Sequence, residues 1–225
     1  MDIVLESLDI NRKIQPRSLL TSIEPIVTPE WGRECVPSYI NRLARYNDWR
    51  PGDLLALLFS QRFGSGKNIA QTNSKNQQAQ IRLAIDPGLI KIMTDQLKHH
   101  VKSDAPSQAF TSDIEIILSH IETGKPTIYK WCSHCFYEQE TPYVPIQWLL
   151  TKSRVCHKHY IELTSVCSDC ERKPNLIKRD TVVGYCDHCG TFLGKSENSV
   201  KNSPSMNADT EKHYALLLAD GYYSE

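Results

Sequence analysis

VCHKHYIELTSVCSDC, Val155 to Cys170, holds two metal-ligand pairs separated by seven residues. Cys156 and His159 have two residues between them, and so do Cys167 and Cys170. Working outward, Cys132 and Cys135 lie twenty residues before Cys156, and Cys186 and Cys189 lie fifteen residues after Cys170. Seven of the eight cysteines therefore fall between positions 132 and 189. A CxxC turn aims two thiolates at one ion, and zinc takes four such soft ligands in a tetrahedron. The spacing predicts two closed structural sites, Cys132, Cys135, Cys156, His159 and Cys167, Cys170, Cys186, Cys189, each holding one Zn2+.

The order of pairing follows from the central gap. An interleaved cross-brace, as in a RING-like ubiquitin ligase, separates its middle pairs by about two or three residues. Here Tyr160 to Val166 intervene, so sequential pairing is expected. His157 directly follows Cys156 and would chelate awkwardly, whereas His159 repeats the two-residue gap. His134 and His188 sit inside CxxC turns and are expected to point away to the surface. A module of this size buries little apolar surface, so metal binding on the order of 10 kcal/mol becomes folding energy. Trp131, Tyr143, Trp148 and Tyr185 are the expected apolar core of that module, and from Thr127 onward it reads as short and β-rich.

Upstream the pattern is helical. In ECVPSYINRLARYNDWRPGDLLALLFSQRFG, residues 34–64, Tyr39, Ile40, Leu43, Ala44 and Asn47 recur at helical spacing behind Pro37. Asp48 to Gly52 reads as a turn, and Asp53 as an N-cap for Leu54 to Phe59. Two short helices about a tight turn resemble a helix-turn-helix, with Tyr39, Ile40, Leu43, Leu54, Leu55 and Leu58 facing a core. Further helices are expected at 77–85, 88–100 and 112–122. The expected organisation is an extended arm over 1–32, a helical domain over 33–124, a double zinc-binding ribbon or knuckle module over 125–195, and a linker with an amphipathic segment over 196–225.

Bulk composition narrows the function. Hydrophobic content of 40% and charged content of 23% fit a globular chain. Lysine plus arginine balances aspartate plus glutamate, 26 against 26, so any basic surface must be local. Arg42, Arg45 and Arg50 cluster around the two helices and are candidate nucleic-acid or partner contacts. No stretch approaches the roughly 20 apolar residues of a membrane helix, and the N-terminus lacks a signal-like apolar run. The expected location is a reducing cytoplasm, where clustered cysteines favour metal over disulfides.

Chemistry of the catalytic kind finds no footing. Gly64-Ser65-Gly66-Lys67 lacks the glycine, the serine or threonine and the preceding strand of a phosphate loop. Neither H-E-x-x-H nor the deaminase signature is present. A site closed by four protein ligands leaves no position for an activated water. Cys35 reads as a small buried residue beside the first helix.

With these residues in place, the chain is similar to the TniQ/TnsD family of transposition target-selection proteins. ECVPSYINRLARYNDWRPGDLL, residues 34–55, resembles the family's helix with SY and RLA and its following DLL. Trp148 and VCHKHYIELTSVCSDC resemble its tryptophan-led zinc motif, the likeness covering about residues 30–193. Tyr160 departs from the family's glycine after the histidine, and Val36-Pro37 replaces small polar residues. The resemblance implies a non-enzymatic adaptor that recruits the AAA+ ATPase TnsC to a target, in some systems from an RNA-guided CRISPR effector with its guide RNA. DNA would be met indirectly or weakly, and a homodimer is one expected state. The length is expected to be that of a short TniQ-type member, the alternative being a truncated longer one. The rival readings are a DNA-binding regulator with zinc ribbon and helix-turn-helix, and the RING-like ligase.

Overall fold

Prolines set where the N-terminal helices begin. A computed structural model describes residues 19–60, 86–101, 103, 106, 110, 129–150 and 153–195. Helix α1, Val36–Tyr46, starts behind Cys35 with proline in its first turn, where a missing N–H is harmless. Val36, Tyr39, Ile40, Leu43 and Ala44 form one buried stripe. Asn47 closes the helix by donating from Nδ2 to the Leu43 and Thr21 carbonyls, and Asp48 turns the chain at φ 58°.

Helix α2, Pro51–Ser60, begins earlier than the sequence suggested. Asp53 is not its N-cap but lies inside the first turn, because Pro51 already fixes helical φ there. The N–H groups of Asp53 and Leu54 both reach the Arg50 carbonyl. Helix α3, Pro87–Val101, covers the helix expected at 88–100 and is capped by Asp86, whose Oδ1 accepts the Leu89 N–H at 3.0 Å. Helix α2 packs on both α1 and α3. The six residues assigned to this core are all buried, and Ile90, Met93, Leu97, Val101 and Phe110 complete it.

Residues 19–32 carry no helix, in keeping with their prolines, yet they pack closely. Leu20 is buried in the helical core. Strand β1, Val27–Thr28, pairs antiparallel with β2, Gly32–Arg33, in the register Val27↔Arg33 and Thr28↔Gly32. The chain then bridges Glu34 to Pro145, and the Cys35 N–H reaches the Val144 carbonyl. The hairpin is thereby stitched to the cysteine-rich module. Residues 1–18, the helices expected at 77–85 and 112–122, the loop 64–67 and the segment 196–225 lie outside the described residues.

The cysteine-rich module has less β-structure than expected. Its described residues hold a short helix α4, Ser133–Glu138, a 3-10 turn, Ile146–Leu149, and isolated bridges at Trp131↔Thr164, Val155↔Glu162 and Tyr185↔Phe192. Frequent ligand turns leave too few consecutive extended residues for ladders. Trp131, Tyr143 and Trp148 are buried as expected. Tyr185 is not: it is 44% exposed, its ring lying 5.1 Å from Phe192, because its extended neighbour Cys186 takes the inward place. The fifteen-residue loop between Cys170 and Cys186 touches both halves of the protein. Leu176 joins the core of the module, and its neighbour Ile177 enters the helical core.

Candidate metal centres

Three of the four ligand pairs are made by one repeated backbone turn. The Cys156, Cys167 and Cys186 carbonyls accept the N–H of Tyr160, Glu171 and Gly190 at 2.8, 2.9 and 2.8 Å. Their own N–H groups reach the carbonyls of Ile161, Arg172 and Thr191. Closing so tight a turn demands a left-handed residue directly after the second ligand, with φ 54° at Tyr160, 56° at Glu171 and 76° at Gly190. Tyrosine at 160 therefore adopts the conformation for which glycine is best suited. The remaining pair is helical: Cys132 stands at the N-cap position of α4, and Cys135 lies one turn along the same face.

These turns bring the ligands together as two sequential groups, Cys132, Cys135, Cys156, His159 and Cys167, Cys170, Cys186, Cys189. In each, the donor atoms lie within 4.8 Å of one another. In the first group His159 Nδ1 is 3.4, 3.3 and 3.7 Å from the sulfurs of Cys132, Cys135 and Cys156. In the second, Cys167 faces Cys189 at 3.7 Å and Cys170 faces Cys186 at 3.6 Å. Thiolates about 2.3 Å from a tetrahedral ion stand about 3.8 Å apart. The donor chemistry and spacing of both groups thus fit one metal ion each.

Around the first group the outer partners are also in place. His159 Nε2 lies 2.9 Å from Glu138 Oε1, which fixes the ring with Nδ1 toward the sulfurs. Burial opposes charge on Glu138, but hydrogen bonds from Lys158 and His159 outweigh it and hold the carboxyl below its usual range. Lys158 also pairs with Glu30 and lies 4.3 Å above the Trp31 ring. His157 lies outside both groups: its Nε2 faces the Glu30 carbonyl at 2.6 Å. Hairpin, helix and turn are thereby gathered about one centre. His134 departs from expectation. It is 4% exposed and lies edge-on to His159 at 5.1 Å, because α4 turns that position into the module. His188 stays near the surface, its Nε2 3.2 Å from the Lys173 carbonyl.

The second group is more open. Cys189 is exposed and Cys170 intermediate, whereas Cys132, Cys135 and Cys156 are buried. Side-chain and backbone hydrogen bonds from Thr191 draw Cys189 down to about 6, while burial pushes Cys135 far up. Asp187, inside the last ligand turn, accepts the Asn175 N–H at 2.9 Å and its Nδ2 at 2.8 Å. Burial works against its charge, and these bonds outweigh burial, holding the carboxyl below its usual range. Cys35 stands apart as a buried thiol that burial pushes far up, as expected of a packing residue.

Two of the three arginines are turned to internal work. Arg42 pairs with buried Glu34 at 2.6 Å, and Arg45 Nη2 donates to the Asp180 and Thr181 carbonyls at 2.7 and 3.1 Å. Arg50 makes only an exposed 3.4 Å pair with Asp180. Sequence reasoning missed Glu138 and Asp187. The available signals were an acid three residues after Cys135, on the same helix face, and an acid enclosed by the Cys186–Cys189 turn.

A family model described as TniQ matches residues 27–163, from β1 through the first metal group. No curated protein matches the chain.

Proposed function

The chain belongs to the TniQ family, a family of transposition-associated proteins, and from that premise we propose a non-enzymatic adaptor that links target selection to the AAA+ ATPase TnsC. In this reading the selecting partner is an RNA-guided CRISPR effector, the protein acts in the cytoplasm, and both centres hold structural zinc. The observation that carries it is closure: each centre already has four protein donors in one tight group. Such a site leaves no position for the activated water of a zinc hydrolase. It also contributes folding energy, which suits a rigid connector.

The rival regulator draws on the α1–turn–α2 pair. Helix α2 suits reading DNA poorly, since Asp53 is its one charged residue. Its first turn at Gly52 is covered by the Arg179 backbone, and Arg42 and Arg45 are occupied. Among the described residues, no helix is long and apolar enough to cross a membrane.

Co-sedimentation with the cognate ATPase on DNA plus ATP tests the adaptor. Retention that needs the nucleotide-loaded ATPase supports it. Absence of retention, together with nanomolar binding to a specific duplex in physiological salt, would promote the regulator instead.

A further inference from the structure

The second centre differs from the first in exposure and in what it holds. It closes the loop 171–185, and that loop reaches the helices. Ile177, 1% exposed, fills the helical core. Thr181 Oγ1 accepts from Asn41 Nδ2 at 2.8 Å, and Arg45 holds the Asp180 and Thr181 carbonyls. From the metal side, Asp187 grips the loop through Asn175 and through Lys178 Nζ at 3.4 Å. Among its described residues the loop has no strand or helix of its own. Its ends are fixed by the ligand turns, and without an ion the entropy of closing about fifteen residues returns. The first centre takes its four donors from residues 132–159, outside that loop, and is set among Trp131, Phe136, Val144, Trp148 and Leu149, a core that the loop enters through Leu176 and Val183.

We propose that the second centre is a latch: its bound ion holds loop 171–185 on α1 and α2. Loss of that ion alone releases the loop while the first centre and its surroundings stay folded. Release vacates the seat of Ile177 and frees Asn41 and Arg45, so metal occupancy sets whether this helix surface is covered. The accessible thiols Cys170 and Cys189 make this centre the first to yield its ion. The proposal rests on the two-metal reading and is independent of the adaptor role.

The test withdraws metal stepwise from the metal-loaded chain with 4-(2-pyridylazo)resorcinol. Native mass spectrometry counts the ions, iodoacetamide marks the freed thiols, and hydrogen exchange reads the amides. With one ion gone, Cys167, Cys170, Cys186 and Cys189 should alkylate first. Exchange at 39–46 and 175–181 should then rise about tenfold or more, with 155–163 unchanged. Asp187→Ala, which keeps all eight ligands, should retain both ions and still raise exchange at 39–46. Prior alkylation of Cys132, Cys135 and Cys156 would overturn the latch, as would loss of the second ion with the helices still protected. Protein purified with no metal at all would overturn the zinc reading together with the latch.

Discussion

The Arg179 backbone lies against Gly52 so closely that a Cβ built on Gly52 would meet the Arg179 Cα at 2.6 Å. A glycine in the first turn of α2 is thus a condition for docking loop 171–185. Elsewhere in a helix, Gly→Ala contributes up to about 1 kcal/mol of stability. At this position overpacking outweighs that gain, so Gly52→Ala should destabilise by about 1–3 kcal/mol in urea unfolding. A stabilised variant would show that the loop stands off from the helix.

Metal content comes next. Protein purified without added metal should contain two zinc ions per chain by elemental analysis, because both groups have four convergent donors. A reproducible value near one would sink the two-centre reading.

His159 and His157 separate by role. His159→Ala should lose one ion and expose the first centre, since its Nδ1 faces three sulfurs. His157→Ala should keep both ions, because the Nε2 of that ring faces the Glu30 carbonyl of the hairpin. Metal counts on the two variants decide between them, and an exchange of behaviours would reverse the ligand assignment.

The left-handed turns give opposite expectations for two substitutions. Tyr160→Gly should stabilise by about 1 kcal/mol, because it relieves a side chain held at φ 54°. Gly190→Ala should destabilise by about 1 kcal/mol although nothing lies within 4 Å of its Cβ, since φ is 76°. Thermal melts of the metal-loaded proteins, with metal content held equal, test both signs.

Leu43 is fully buried on α1. Leu43→Ala should therefore lower unfolding free energy by about 2–5 kcal/mol in denaturant titration. A change within noise would place Leu43 outside the core.

The periodicities and spacings that the sequence determined are local ones. Tyr39, Ile40, Leu43 and Ala44 identify α1 because helical period and burial agree over eleven residues. The eight candidate ligands that the structure gathers into two groups, with His159 and not His157 among them, follow from a chelate geometry that depends on two-residue gaps and a seven-residue interval. Tertiary structure alone decided the partners of side chains whose own segment leaves several directions open. Arg42 and Arg45 look like a basic patch until Glu34 and the carbonyls of residues 180 and 181 take them up from across the fold. His134 lies inside a CxxC pair, and only the helical course of α4 turns it inward against His159. Leu176 and Ile177 carry no periodicity that could assign them to two cores. Their division arises because a loop closed at the second centre must satisfy two apolar surfaces at once, a constraint set by distances in space between residues far apart in the chain.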